Sequence, residues 1–132
     1  MGPERKLYQK IKKKTPSIIW NRIEKLTSLG IPDPMGYNKN HKFFTVEFKV
    51  TRGNKLKFSP HQIAWHLAHS ENTFIIAQAL GPGSLKLFRG SRIKELVACG
   101  LKLDACCLGL DACRLKLESL PEKEGLSLWN SL

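Results

Sequence analysis

Three charged residues have types and spacings that could build a hydrolytic metal site. Glu47 and Lys49 are two residues apart in an otherwise apolar and aromatic segment, so both project from one face of a strand. Charges in the middle of such a strand are costly unless they pair with each other or bind a ligand. Asp33 comes earlier, on the preceding arm of a predicted hairpin, and can reach the same neighbourhood.

The chemistry that this trio predicts is metal-assisted attack of a water at a phosphate. Two carboxylates suit a hard cation, Mg²⁺ or Mn²⁺, which needs few protein ligands and keeps several waters. The cation would polarise a phosphate and activate a water, and Lys49 would orient that water or offset negative charge. The alternative is a purely structural salt bridge between Lys49 and Glu47.

The elements that must position the trio are readable from periodicity. Residues 42–51 alternate as a strand, with Phe44 and Val46 on the face opposite Glu47 and Lys49. A first helix is predicted to begin at Thr15 and Pro16, to continue through Ile19, and to end at Gly30.

The second half of the predicted core adds helices to the sheet. Ser59-Pro60-His61-Gln62 is a capping-box pattern that opens a helix running to about residue 70. Strands are expected at 73–80 and 85–88, and a further helix at 91–100. This order predicts an α/β fold, a mixed sheet flanked by helices.

Charge is distributed unevenly along the chain. Its 132 residues carry a formal net charge of +11; residues 1–94 hold 18 basic and 5 acidic side chains, and residues 95–132 hold 4 and 6. A dense basic field predicts a polyanionic partner, with nucleic acid as the leading candidate. Residues 1–14 are interpreted as a basic arm in which Lys12, Lys13 and Lys14 bind phosphates, or else as a solubilising tail.

Four stretches in order carry a family resemblance. Gly30-Ile31-Pro32-Asp33, followed by Glu47-Phe48-Lys49, resembles the PD-(D/E)XK nuclease signature. Arg22-Ile23-Glu24 and residues 57–66 (KFSPHQIAWH) are similar to small phage-type and VRR-NUC-like nucleases, a branch close to Holliday-junction resolvases. The resemblance covers about residues 15–100 and implies a restriction-endonuclease-like core.

The resemblance also implies roles for individual residues. Asp33 and Glu47 would be metal ligands together with the backbone carbonyl of Phe48, and Lys49 would be the catalytic lysine. Glu24 would be the first-helix acid that completes the site; its alternative is a solvated helix charge. Gln62 would line the site, although its capping role is a competing explanation.

The basic residues between strand and helix are candidates for holding the substrate. Arg52, Lys55 and Lys57 follow the strand that carries Glu47 and Lys49, where substrate phosphates would pass. Such contacts fix a nucleic-acid backbone without reading its sequence.

Residues 101–132 form a Leu- and Cys-rich extension. Three successive sevens, LKLDACC, LGLDACR and LKLESLP, would align Leu101, Leu108 and Leu115 on a helix. The extension either packs on the core or makes a homodimer contact.

Other classes of protein are disfavoured. The longest strongly apolar run, residues 74–77, is far short of a membrane span, and the charged N-terminus does not resemble a secretory signal. The four cysteines lack zinc-ribbon spacing, which favours reduced thiols and a cytoplasmic location in a bacterial or phage-infected cell. His66 and His69 are predicted to lie on a helix surface without a metal.

The sequence therefore predicts a metal-dependent DNA endonuclease acting on branched, single-stranded or duplex DNA. One rival is a non-catalytic nucleic-acid-binding module that keeps the fold, although two carboxylates facing phosphates have no use in binding alone. A basic subunit of a protein assembly is the other.

Overall fold

The computed structural model describes residues 2–22, 32–81 and 83–121. The helices are α1 (Pro3–Lys14), α2 (Pro60–Ala68), α3 (Ile93–Cys99) and α4 (Leu110–Ser119), and the strands are β1 (Ile19–Asn21), β2 (Met35–Tyr37), β3 (Phe43–Thr51), β4 (Thr73–Ala79), β5 (Leu85–Arg89) and β6 (Cys107–Leu108). Short 3₁₀ turns flank α3 at Gly90–Arg92 and Gly100–Lys102.

The six described strands form one mixed sheet whose spatial order follows the chain, β1 to β6. β3 and β4 are parallel and every other neighbouring pair is antiparallel. A parallel pair needs a crossover connection, and α2 supplies it. The predicted α/β class, a mixed sheet flanked by helices, is confirmed.

Two apolar cores lie on opposite faces of the sheet. On one face, α1 and α4 bury side chains against Phe44, Val46 and Phe48. On the other face, α3 and the segment before α2 pack against β4 and β5. β4 contributes to both cores, which explains why its sequence is apolar on both faces.

The N-terminal segment differs from the prediction. Residues 3–14 form a helix whose Leu7, Tyr8 and Ile11 are buried in the core, rather than an arm held outside it. The predicted helix from Thr15 to Gly30 is wrong in its described part, because β1 occupies residues 19–21.

Thr15 ends a helix instead of beginning one. Its Oγ1 donates to the carbonyl of Ile11 at 2.8 Å and accepts from Nε1 of Trp20 at 2.9 Å. Ile18 and Trp20 are buried while Ile19 is exposed, which is the period of a strand. Pro16 therefore follows a helix that it cannot continue.

The three C-terminal sevens do not align on one helix. Leu101 is buried in a 3₁₀ turn, Leu108 is exposed in β6, and Leu115 is exposed on α4. α4 packs Cys113 and Leu117 into the core, as a packing layer would. A homodimer stays a prediction. Within the described ranges, no helix has the length and apolar character to cross a bilayer.

Candidate active site

The site lies where β3 continues beyond its short neighbour β2. The pairing of β2 runs from Phe43 to Thr45, whereas β3 extends to Thr51. The carbonyl of Pro34 still accepts from the Val46 amide at 3.3 Å, and Asp33 stands directly before it, across a cis peptide bond. Asp33 is thereby placed beside the free part of β3.

A cleft of about 350 Å³ opens at this point. Its walls come from the N-terminal half of α1, the residue that follows β1, the loop that leads into β2, and β3. They comprise Gly2, Glu4, Arg5, Tyr8, Arg22, Asp33, Glu47, Phe48 and Lys49. Four residues singled out from the sequence, Asp33, Glu47, Phe48 and Lys49, thus line one cleft.

Asp33 is held by an arginine. Arg22 Nε donates to Asp33 Oδ2 at 3.3 Å, and the Asp33 side chain is only 3% exposed. The Arg22 guanidinium also lies over the Tyr8 ring, 5.6 Å from its centroid. This cation keeps one carboxylate oxygen oriented at the edge of the cleft.

Gln62 connects the two charged residues of β3. Its Nε2 donates to Glu47 Oε1 at 3.2 Å, and its Oε1 accepts from Lys49 Nζ at 3.3 Å. Among the described residues, no ion pair within 4.0 Å joins Lys49 directly to Glu47. The sequence offered a direct salt bridge between Lys49 and Glu47 as the alternative. In the structure, the side-chain amide of Gln62 connects the two residues instead.

The same glutamine caps α2. Its side-chain Oε1 accepts from the backbone N–H of Ser59 at 2.9 Å. The backbone N–H of Gln62 donates to Ser59 Oγ at 3.1 Å, which completes the capping box. Because Ser59 fixes the carbonyl end of the side chain, the NH₂ group must face Glu47. Capping and contact with the site are compatible roles of one residue.

Glu47 has an unusual environment for a carboxylate. Burial raises the pKa of Glu47 to about 7, the Lys49 ammonium lowers it, and the charges of Glu4 and Asp33 raise it. Lys49 Nζ itself lies 4.8 Å from the Phe58 ring centroid. The cleft thus gathers carboxylates close enough to repel one another.

Glu24, the acid expected from the first helix, lies outside the residues that the structure describes. Among the described residues, Glu4 in the first turn of α1 also lines the cleft. The overlooked signal was the helical spacing of Leu7, Tyr8 and Ile11 within a basic run, which predicts an amphipathic helix rather than a free arm. Arg5 and Tyr8 reach the cleft for the same reason.

A second cleft of about 310 Å³ adjoins the first and shares Glu4 and Lys49 with it. Arg52, Lys55 and Lys57 line this cleft. Lys12, Lys13 and Lys14 occupy the other end of α1, about 13 Å along the helix axis from Glu4. The structure brings the first basic group beside the site but not the second.

The oxygen donors present fit a hard divalent cation that keeps most of its water. Asp33, Glu47 and Phe48 all line the first cleft, and the first two carry carboxylate oxygens. Within the described part of the chain, no three His, Cys, Asp or Glu side chains converge as a metal site. A cation here would depend on two carboxylates, a carbonyl and water.

His66 is buried, which corrects the prediction of a surface histidine. Its side chain is fully enclosed; Nδ1 lies 3.0 Å from Thr73 Oγ1, which accepts from Thr45 Oγ1 at 2.9 Å. Its Nε2 has no hydrogen-bond partner among the residues that the structure describes. Burial first, and the Lys49 charge second, together lower the pKa of His66 to about 4, so the ring is neutral at pH 7. His69 is exposed, as predicted, and stacks on Trp65 at 3.8 Å.

Comparisons with known proteins give no relative from which a role could be transferred. No family model, no curated protein and no solved structure matches this chain. The functional assignment therefore depends on the chemistry of the cleft.

Proposed function

We propose that the protein is a metal-dependent nuclease that hydrolyses phosphodiester bonds in DNA. The observation that carries the proposal is the convergence of Asp33, Glu47 and Lys49 on one cleft that also has arginines in its wall. Carboxylates gathered beside cationic side chains are expected where a divalent cation and a phosphate bind together. The proposal includes a restriction-endonuclease-like core, as the resemblance to PD-(D/E)XK nucleases implies.

Each residue has a distinct task in this proposal. Asp33, Glu47 and the Phe48 carbonyl hold Mg²⁺ or Mn²⁺, which supplies Lewis-acid activation of the phosphate and of a water. Lys49 positions the attacking water or offsets the negative charge that develops on the phosphate. Gln62 is a positioning residue, since it holds both Glu47 and Lys49 through one amide.

Glu4 is the described residue best placed to supply the helix acid that the resemblance implies. It is on the first turn of α1, lines both clefts, and its charge acts on Glu47. Substituting Glu4→Gln and Glu24→Gln separately tests which acid participates. A loss of cleavage confined to Glu24→Gln would reject Glu4.

The basic second cleft supports a nucleic-acid substrate. Arg52, Lys55 and Lys57 line it. Because Lys49 belongs to both clefts, a nucleic-acid strand bound in the second cleft would extend to Lys49 in the first. Phosphate contacts of this kind position a backbone without selecting a sequence. Branched DNA of the Holliday-junction type is the substrate that the resemblance favours.

Cleavage assays with Mg²⁺ or Mn²⁺ on linear, single-stranded, flapped and four-way DNA test the proposal. We expect cleavage by the wild type and by Glu71→Ala, which removes an exposed acid outside both clefts. Glu47→Ala and Lys49→Ala should abolish it. Cleavage that survives both substitutions would reject the site, and tight salt-sensitive binding without any cleavage would favour a non-catalytic binding module.

A further inference from the structure

A partly exposed row of large side chains lies on the same sheet as the cleft, with Tyr37 half-buried between two exposed neighbours. Ile19, Tyr37 and Phe43 are directly paired across β1, β2 and β3, and we name these three residues the aromatic row. Ile19 and Phe43 are each 61% exposed. The Tyr37 and Phe43 rings have centroids 4.3 Å apart with an interplanar angle of 39°. Apolar side chains, with the Phe43 ring packed at a tilt against the Tyr37 ring, therefore face solvent at one end of the sheet.

The central ring of the row is held in place. Tyr37 Oη and His41 Nδ1 form a hydrogen bond of 2.7 Å, and the two ring centroids are 5.9 Å apart. A ring fixed in advance loses little conformational entropy when a ligand stacks on it or on its neighbour. Tyr37 thus gives Phe43 a restrained ring to pack against.

The distance between the aromatic row and the cleft indicates which kind of ligand could contact both. Phe43 and Glu47 are four residues apart on β3 and project from the same face, about 13 Å apart along the strand. Lys39 adds an exposed positive charge in the turn between β2 and β3, two residues along the chain from Tyr37. A ligand that spans this distance needs a flat apolar group at one end and a phosphate at the other.

We propose that the aromatic row stacks an unpaired nucleobase of a strand whose backbone phosphate lies in the cleft. Every base has a π-face, so such stacking tolerates any sequence. The inference rests on the proposed function only in that the ligand is a nucleic acid. It deepens that proposal, because a base inside a continuous duplex is already stacked, whereas a single-stranded segment offers free bases.

Binding measurements without catalysis test the row separately from the nuclease. Fluorescence anisotropy in EDTA would compare the full chain on a labelled thymidine oligomer and on an abasic oligomer of equal length, which has the same phosphates but no bases. We expect the wild type to bind the thymidine oligomer about 5- to 100-fold more tightly. Phe43→Ala should remove this preference and leave abasic binding unchanged, and Phe43→Trp should keep it.

Leu108→Ala is the matched control, because Leu108 is a similarly exposed apolar residue at the opposite edge of the sheet. It should retain the preference for bases. Equal binding of the two oligomers by the wild type would overturn the inference, as would an equal loss for both oligomers in Phe43→Ala. So would a wild-type dimer that Phe43→Ala converts to a monomer, since the row would then be covered by a second copy.

The two proposals fail in different ways. A preference for bases that depends on Phe43, without cleavage of any DNA, would retain the stacking surface and reject the nuclease. Cleavage that depends on Glu47, with no preference for bases in EDTA, would retain the nuclease and reject the stacking surface.

Discussion

Two polar clusters lie under α2 on one face of the sheet, and they differ in charge and in access. The closed cluster, Thr45, Thr73 and His66, is neutral and fully buried. The charged cluster, Glu47, Lys49 and Gln62, is only partly buried, and its two charged residues line the cleft. Gln62 and His66 are one helical turn apart, so the same helix covers both.

Under the proposed function, the difference in burial separates a structural polar group from a reactive one. In the closed cluster, the Thr73 hydroxyl satisfies one ring nitrogen of the neutral His66, and the Thr45 hydroxyl donates to Thr73. No charge therefore has to be removed from water. In the charged cluster, the side-chain amide of Gln62 bridges Glu47 and Lys49, which remain apart. Both charged residues line the cleft of about 350 Å³. The following substitutions test whether this distinction between stability and function holds.

The largest effect is expected from Glu47→Gln. Glutamine keeps the shape of the side chain and can still accept from Gln62, but it cannot offer a carboxylate to a cation. We expect cleavage to fall by about 1000-fold in single-turnover assays. The free energy of unfolding, measured in urea, should change by less than about 1 kcal/mol. A loss above about 2 kcal/mol would make Glu47 a structural residue like those of the closed cluster.

The next largest effect is a loss of stability in acid that depends on His66. The pKa of His66 is about 4 in the folded protein and 6.5 in the unfolded chain, so only the unfolded chain takes up this proton between those values. Stability therefore falls as pH drops from 6.5 to 4, by about 3 kcal/mol from this residue. Urea denaturation across this range should show a shallower pH dependence in His66→Gln. Identical pH dependence in both proteins would contradict the assignment.

A moderate effect is expected from Gln62, the residue that joins capping to the charged cluster. Gln62→Glu keeps an oxygen for the Ser59 amide but has no NH₂ to donate to Glu47. We expect cleavage to fall about 10-fold with helix stability retained. Gln62→Ala should in addition lower the unfolding free energy by about 1 kcal/mol, because the capping box is lost. Wild-type cleavage by Gln62→Glu would show that capping is its entire role.

The smallest effect is expected from Arg52, which lines the second cleft. Arg52→Ala should weaken binding to all DNA sequences alike and reduce the slope of log K against log salt by about 1. Arg89→Ala, an exposed arginine that lines neither cleft, is the matched control. An equal change of slope in the two variants would mean that binding is spread over the general positive surface.

Much of the sheet was predictable because its signals are local. The alternation in β3, the apolar run of β4 and the capping box of α2 each specify an element within fewer than ten residues. α1 escaped prediction because its charge concealed the spacing of Leu7, Tyr8 and Ile11. Thr15-Pro16 misled because the same pair can begin a helix or end one, and only the contact of Thr15 with Trp20 decides between them.

The site was predictable in its types of residue but not in its full membership. Asp33, Glu47 and Lys49 were recognisable because charged residues are unusual around such a strand. Glu4 and Tyr8 were not, because they lie about 40 residues from Glu47 in the sequence and reach the cleft through packing of α1. The burial of His66 likewise depends on β4, because Thr73 of that strand contacts the His66 ring.

By itself, the sequence determined which side chains share a face and where α2 begins. Strand alternation places Glu47 and Lys49 together, and the pattern of Ser59 and Gln62 caps the helix, because both follow from local backbone geometry. Only the tertiary structure decided that β2 ends early, that a cleft opens beside β3, and that α1 brings Glu4 to it. These outcomes depend on how distant segments pack together, and no local pattern encodes that packing.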